Sequence, residues 1–157
     1  MEQTAWLSAA KPLVMLHAAL SIVLVGAATH HSVATYGYLR GRQGVGRSRT
    51  HAAIVGLTYL FTMGAGALAY PTYRYYVRAL YLDRYEPWAS NLFDIKENLS
   101  TIGLPLAMGA WWLSRTLGTD EDRPMRFGYA LMVALVTAIV WVNVGAGLLV
   151  ALVRGVP

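Results

Sequence analysis

The stretch from Pro12 to Tyr38, PLVMLHAALSIVLVGAATHHSVATYGY, contains no aspartate, glutamate, lysine or arginine, and its reading decides the fold. It exceeds the ~20 residues that a helix needs to cross the hydrocarbon core of a bilayer. Three more apolar runs follow, His51 to Tyr70, Leu99 to Leu117 and Pro124 to Val153. The pattern predicts an all-α chain: an integral membrane four-helix bundle, forming a single membrane domain over residues 1–157. Its spans are expected at 12–38, 51–70, 99–117 and 124–153.

Composition points the same way. Hydrophobic residues make up 56% of the 157 and charged residues 13%, against about 25% charged in a typical soluble domain. The links between the runs are too short for a separate soluble module. Lys11, the apolar residues 13–25 and the small Gly26-Ala27-Ala28 imitate a signal peptide. The apolar run continues through Val33, Ala34 and Tyr36, so a retained span is expected there. Cysteine is absent, which excludes disulfides, thiolate metal sites and iron–sulfur clusters held by this chain. The net charge of +5 sits in short links flanking apolar runs. Membrane topology and anionic lipid account for it there, and no nucleic-acid partner is expected.

The link Arg40-Gly-Arg-Gln-Gly-Val-Gly-Arg-Ser-Arg49 holds four arginines, three glycines and no acid. By the positive-inside rule it is cytoplasmic. The 71–98 segment and both termini then lie outside, and the Arg115–Arg126 link, with its acidic run Asp120-Glu121-Asp122, lies inside. A bacterial inner (cytoplasmic) membrane is the expected location. Pro71 is expected to end or kink the second span. The tyrosine-rich segment 71–98 beyond it, with Tyr73, Tyr76, Tyr81 and Trp88, reads as a helix lying at headgroup level. It would serve as a lipid anchor or as a docking surface for other membrane subunits.

Ionisable groups inside apolar spans are costly and therefore candidates for function. Span one carries His17, His30 and His31, and His51 opens span two. His17 and His31 lie about 40° apart around a helix and roughly 21 Å apart along it. Stacking two haems across a bilayer requires the same spacing on a second helix, because each iron takes two axial imidazoles. That ladder is missing, since position 65 is alanine. One haem b remains possible at the inner face, between His31 (or His30) and His51. Gly26, one turn before His30, would admit the porphyrin, and Arg40, Arg42, Arg47 and Arg49 would neutralise its propionates. His17, Asp94 and Glu97 form a second candidate, for a metal ion or for a quinone head-group and proton site. Asn143 in span four is placed to bond to either. The competing reading of all these groups is hydrogen-bonding glue between helices, and of the recurrent glycines, close helix packing.

No nucleophile–base pair, phosphate-cradling glycine loop or HExxH motif is present. The residues therefore favour a non-catalytic, electron-transfer subunit of a membrane redox complex. The alternatives are a cofactor-free accessory subunit of a larger complex, and a small transporter or membrane enzyme built on His17, Asp94 and Glu97.

Overall fold

The computed structural model describes residues 2–42, 45–117 and 123–155; the acidic run at 120–122 lies outside them. It consists of α1 (Glu2–Leu39), α2 (Val45–Thr72), a π-helical segment (Tyr73–Leu82), α3 (Asp83–Tyr85), α4 (Pro87–Thr116) and α5 (Arg123–Val153). No strand occurs among the described residues. α1 packs on α2 and α5, and α4 packs on α5 and α2, which closes the four long helices into a ring.

The end of α1 follows from one glycine. Gly41 takes φ +66°, a left-handed conformation that costs glycine little. The Gly41 N–H donates to Tyr38 O at 3.0 Å and the Arg42 N–H to Gly37 O at 3.0 Å. This paired closure satisfies carbonyls that the last helical turn leaves open. The chain then turns back as α2 within a few residues.

Three segments are long and apolar enough to cross a membrane, namely Ala9–Leu39, Val45–Tyr85 and Pro124–Val153. α4 is of similar length but falls short in hydropathy. Asp94, Lys96 and Glu97 lie in its first half, and Ser100, Thr101, Pro105 and Ser114 dilute it further. It still supplies a full side of the bundle.

The outer surface carries far more large apolar side chains than that of a protein that folds in water. Small residues fill much of the interior, among them Ala28, Ala52, Ala107 and Ala110, together with the polar His31, Thr35, Ser48 and Ser114. Large apolar residues face outward: Ile22 is 73% exposed, Phe61 62% and Leu152 83%. Lipid offers helices no hydrophobic drive to associate, so small residues and buried hydrogen bonds hold such bundles together. The central layer draws on all four helices, with Leu24, Val55, Tyr59, Ala107, Val136 and Val140.

The segment after Pro71 continues the helix of the second span instead of beginning a separate one. The helix does not stop at Pro71 but runs on as π-helix to Leu82 and then through α3. Proline removes one donor from the ladder, and the following turns bond one residue further along, which is how π-helix accommodates an irregularity. The break comes instead at Glu86, with φ −137° and ψ 61°, and Pro87 starts α4, a position where its missing N–H costs nothing. Residues 73–85 thus prolong α2 and residues 87–98 open α4. The two arms pack through Val77, Leu82, Ala89 and Phe93 against Val150 of α5.

A forked ion pair braces this corner. Arg78 Nη1 and Nη2 donate to Asp94 Oδ1 and Oδ2 at 2.5 and 2.9 Å, and Arg78 Nε lies 3.6 Å from Asp83. Ser90 Oγ donates to Asp83 Oδ1. The Asp94 side chain is 43% exposed, so solvent screens the pair. A double-mutant cycle over Arg78→Ala and Asp94→Ala, read by thermal unfolding in detergent, is expected to give a coupling of about 0.5–1 kcal/mol. The coupling should shrink as salt is raised.

Candidate functional site

The link end of the α1–α2 hairpin separates two adjacent histidines. Consecutive helical residues point about 100° apart, so His30 and His31 cannot share an environment. His30 faces outward, and its Nδ1 lies 2.7 Å from Gly26 O. A carbonyl only accepts, so Nδ1 carries the proton and Nε2 presents a lone pair. The His51 ring lies across from it, with centroids 6.1 Å apart and planes 30° apart. The two rings line an open pocket of about 280 Å³ with Val33, Ala34 and Arg47.

His31 turns inward and is 2% exposed. Its Nε2 lies 2.8 Å from the hydroxyl of the fully buried Tyr129. That hydroxyl lies 2.8 Å from Ser48 Oγ, which in turn lies 2.8 Å from Thr35 Oγ1. The chain joins α1, α2 and α5 and keeps His31 out of the pocket. Tyr129, Ser48 and Thr35 were not singled out from sequence. The available signal was that Thr35 follows His31 by one helical turn, on the same face.

The arginines divide in the same way. Arg49 donates from Nε to Ser114 O at 2.9 Å and from Nη2 to Leu117 O at 3.0 Å. It therefore caps the C-terminal end of α4, where open carbonyls and the helix dipole favour a cation. The guanidinium of Arg40 sits 5.0 Å from the centre of the Tyr36 ring. Among Arg40, Arg47 and Arg49, Arg47 is the one that lines the pocket.

Comparison with protein-family models, curated proteins and solved structures gives no match. The site is therefore read from its own chemistry.

The second candidate group is not assembled into a metal-holding set. Among the described residues, no three or more histidine, aspartate or glutamate side chains converge. His17 donates from Nδ1 to Thr62 O at 2.8 Å, Asp94 is engaged by Arg78, and Glu97 lies next to Lys96 on α4. Asn143 bonds to neither His17 nor the carboxylates. Its Nδ2 donates to Ser100 Oγ at 3.0 Å, and its Oδ1 is buried without a partner among the described residues.

The glycines show which side chains the bundle makes room for. A Cβ at Gly66 would lie 3.1 Å from the His17 ring, and one at Gly147 would lie 3.4 Å from Lys96 Cε. A Cβ at Gly26 would meet nothing within 4 Å, so the space beside His30 is open.

Among the aromatics expected to meet a partner, Tyr73 stacks inward on Phe93 with centroids 4.5 Å apart. Tyr81 lies beneath Arg154, whose guanidinium is 5.0 Å from the ring centre. Trp88 is 52% exposed and bonds through Nε1 to Glu86 at 2.7 Å. Tyr75 and Tyr85 are also exposed. The outward aromatic face of the corner is thus Tyr75, Tyr85 and Trp88, with Tyr76 half-buried beside Tyr75.

Proposed function

We propose that this chain is an integral membrane subunit of an electron-transfer complex that holds one b-type haem at the inner end of the α1–α2 hairpin, with His30 and His51 as axial ligands. The spacing of the two rings carries the reading. An imidazole nitrogen bonds a transition metal at about 2 Å, and adding the half-width of each ring puts the centres of two such ligands about 6 Å apart. His30 and His51 have that centroid spacing, 6.1 Å, in a stacked arrangement, and side-chain rotation would aim their nitrogens at a common iron. The Gly26 carbonyl on Nδ1 is the kind of support that orients a ligating histidine and fixes its tautomer. Open space beside Gly26 suits a flat macrocycle.

In this reading α4 also crosses the bilayer, since its polar residues at 94–97 lie close to the corner and Asp94 is neutralised by Arg78. The arginine-rich link faces the cytoplasm of a bacterial cell. Haem supplies reversible one-electron storage, and the protein supplies ligands, orientation and surroundings. The pocket opens away from the bundle, towards a partner redox subunit or a membrane quinol.

The test is an optical and electron paramagnetic resonance spectrum of detergent-purified protein expressed with ample haem. One haem per chain with a low-spin, bis-imidazole signature is the expected result. A colourless protein would remove the proposal.

A further inference from the structure

A porphyrin held between two imidazoles has a second problem to solve, because its two carboxylates cannot enter lipid uncompensated. Ionised groups in a low-dielectric setting are stable only when paired and hydrogen-bonded. Four arginines, Arg40, Arg42, Arg47 and Arg49, lie in and just after the link joining α1 and α2, and charge alone does not distinguish them.

Their placement does, and Arg42, exposed in the link, does not line the pocket. Arg49 is taken up by the Ser114 and Leu117 carbonyls, and Arg40 is laid over Tyr36. Arg47 lies one turn before His51 on α2 and lines the same pocket as both rings. No aspartate or glutamate lines that pocket. On the far side of the His30–His51 pair, towards the middle of the hairpin, the surroundings are apolar. There Val23, two turns before His30 on α1, and Ile54, one turn after His51 on α2, are both exposed apolar residues.

We propose that Arg47 is the residue that reads the carboxylates of the bound porphyrin and thereby sets its orientation, with the charged edge towards the arginine link and the apolar edge along the hairpin. The chemistry is that of a planar guanidinium fork matched to a carboxylate. This inference rests on the haem reading and adds to it a selectivity that iron ligation alone does not supply. His30 and His51 would bind any iron porphyrin, whereas Arg47 prefers one with free carboxylates.

The experiment compares haem with its dimethyl ester, in which both carboxylates are masked, by optical titration of the full-length protein in detergent. Wild-type protein should bind haem at least tenfold more tightly than the ester. Arg47→Ala should bring the two affinities within about twofold while both complexes keep the bis-imidazole spectrum. Arg47→Lys, which keeps the charge and loses the fork, should restore part of the preference. Arg49→Ala should lower thermal stability and leave the preference intact. Arg47→Gln serves as a second neutral variant if the alanine variant folds poorly.

An equal preference in wild type and Arg47→Ala would overturn the assignment, as would a wild-type protein that does not distinguish the two porphyrins. If neither porphyrin gives a bis-imidazole spectrum with wild-type protein, the haem reading itself is wrong and the role of Arg47 falls with it. The three failures are told apart by the same titration.

Discussion

Replacing His51 with alanine is expected to abolish the six-coordinate haem spectrum, and His30→Ala should do the same. In the proposed reading each substitution removes one of two axial ligands. Affinity should fall by more than the roughly 10–100-fold typical when a group that merely orients a metal ligand is lost. His31→Ala separates this reading from a general loss of structure. His31 is buried against Tyr129 rather than facing the pocket, so its removal should leave the spectrum intact. The cost should appear in stability instead, at about 0.5–1.5 kcal/mol for the lost hydrogen bond, because the Tyr129 hydroxyl keeps Ser48 as a partner. Optical spectra and thermal unfolding of the three variants side by side decide the point. If His31→Ala loses haem while His30→Ala keeps it, the two neighbours have been assigned the wrong way round.

The second large effect concerns packing. A methyl group at Gly103 would overlap the Tyr59 hydroxyl and lie 2.8 Å from Tyr59 Cζ and 3.0 Å from Ile139 Cγ2. Tyr59 is buried in the central layer and donates to Ser100 O at 3.3 Å. Gly103→Ala therefore forces α2, α4 and α5 apart where they meet, an overpacking cost of about 1–3 kcal/mol. Gly109→Ala, six residues further along α4, meets nothing within 4 Å. That change should be neutral or stabilising by up to about 1 kcal/mol, the helix-propensity difference between the two residues. Unfolding followed by circular dichroism in detergent gives both values. Adding Tyr59→Phe to Gly103→Ala removes the overlapping oxygen and should recover part of the loss.

Much of the architecture was legible in the residues from Pro12 to Tyr38 and the three runs that follow. Length and the scarcity of charge determine helices of this kind in lipid. The partners of individual side chains were less legible, for a geometric reason. His30 and His31 are neighbours in sequence but about 100° apart on the helix. Only the arrival of Tyr129 from α5, 98 residues after His31, determines which of them turns inward. Arg49 was indistinguishable from Arg47 until the end of α4 came within its reach. The same holds for the glycines, where Gly66 and Gly103 make room for His17 and Tyr59 and Gly26 faces open space. Pro71 illustrates a different limit. A proline marks a lost hydrogen bond, and the surrounding helix decides whether the chain stops or, as here, widens and continues.

Both the proposed haem site and the packing effects presuppose that all four long helices cross a bilayer, with the arginine link and the Glu86–Pro87 corner on opposite faces. The absence of native cysteine makes this directly measurable. Single cysteines at Arg42, Thr116 and Trp88 can be probed with a membrane-impermeant maleimide in sealed, right-side-out vesicles. Trp88→Cys should label in intact vesicles, and Arg42→Cys and Thr116→Cys only after permeabilisation. Labelling of Trp88→Cys and Arg42→Cys from the same side would contradict the arrangement.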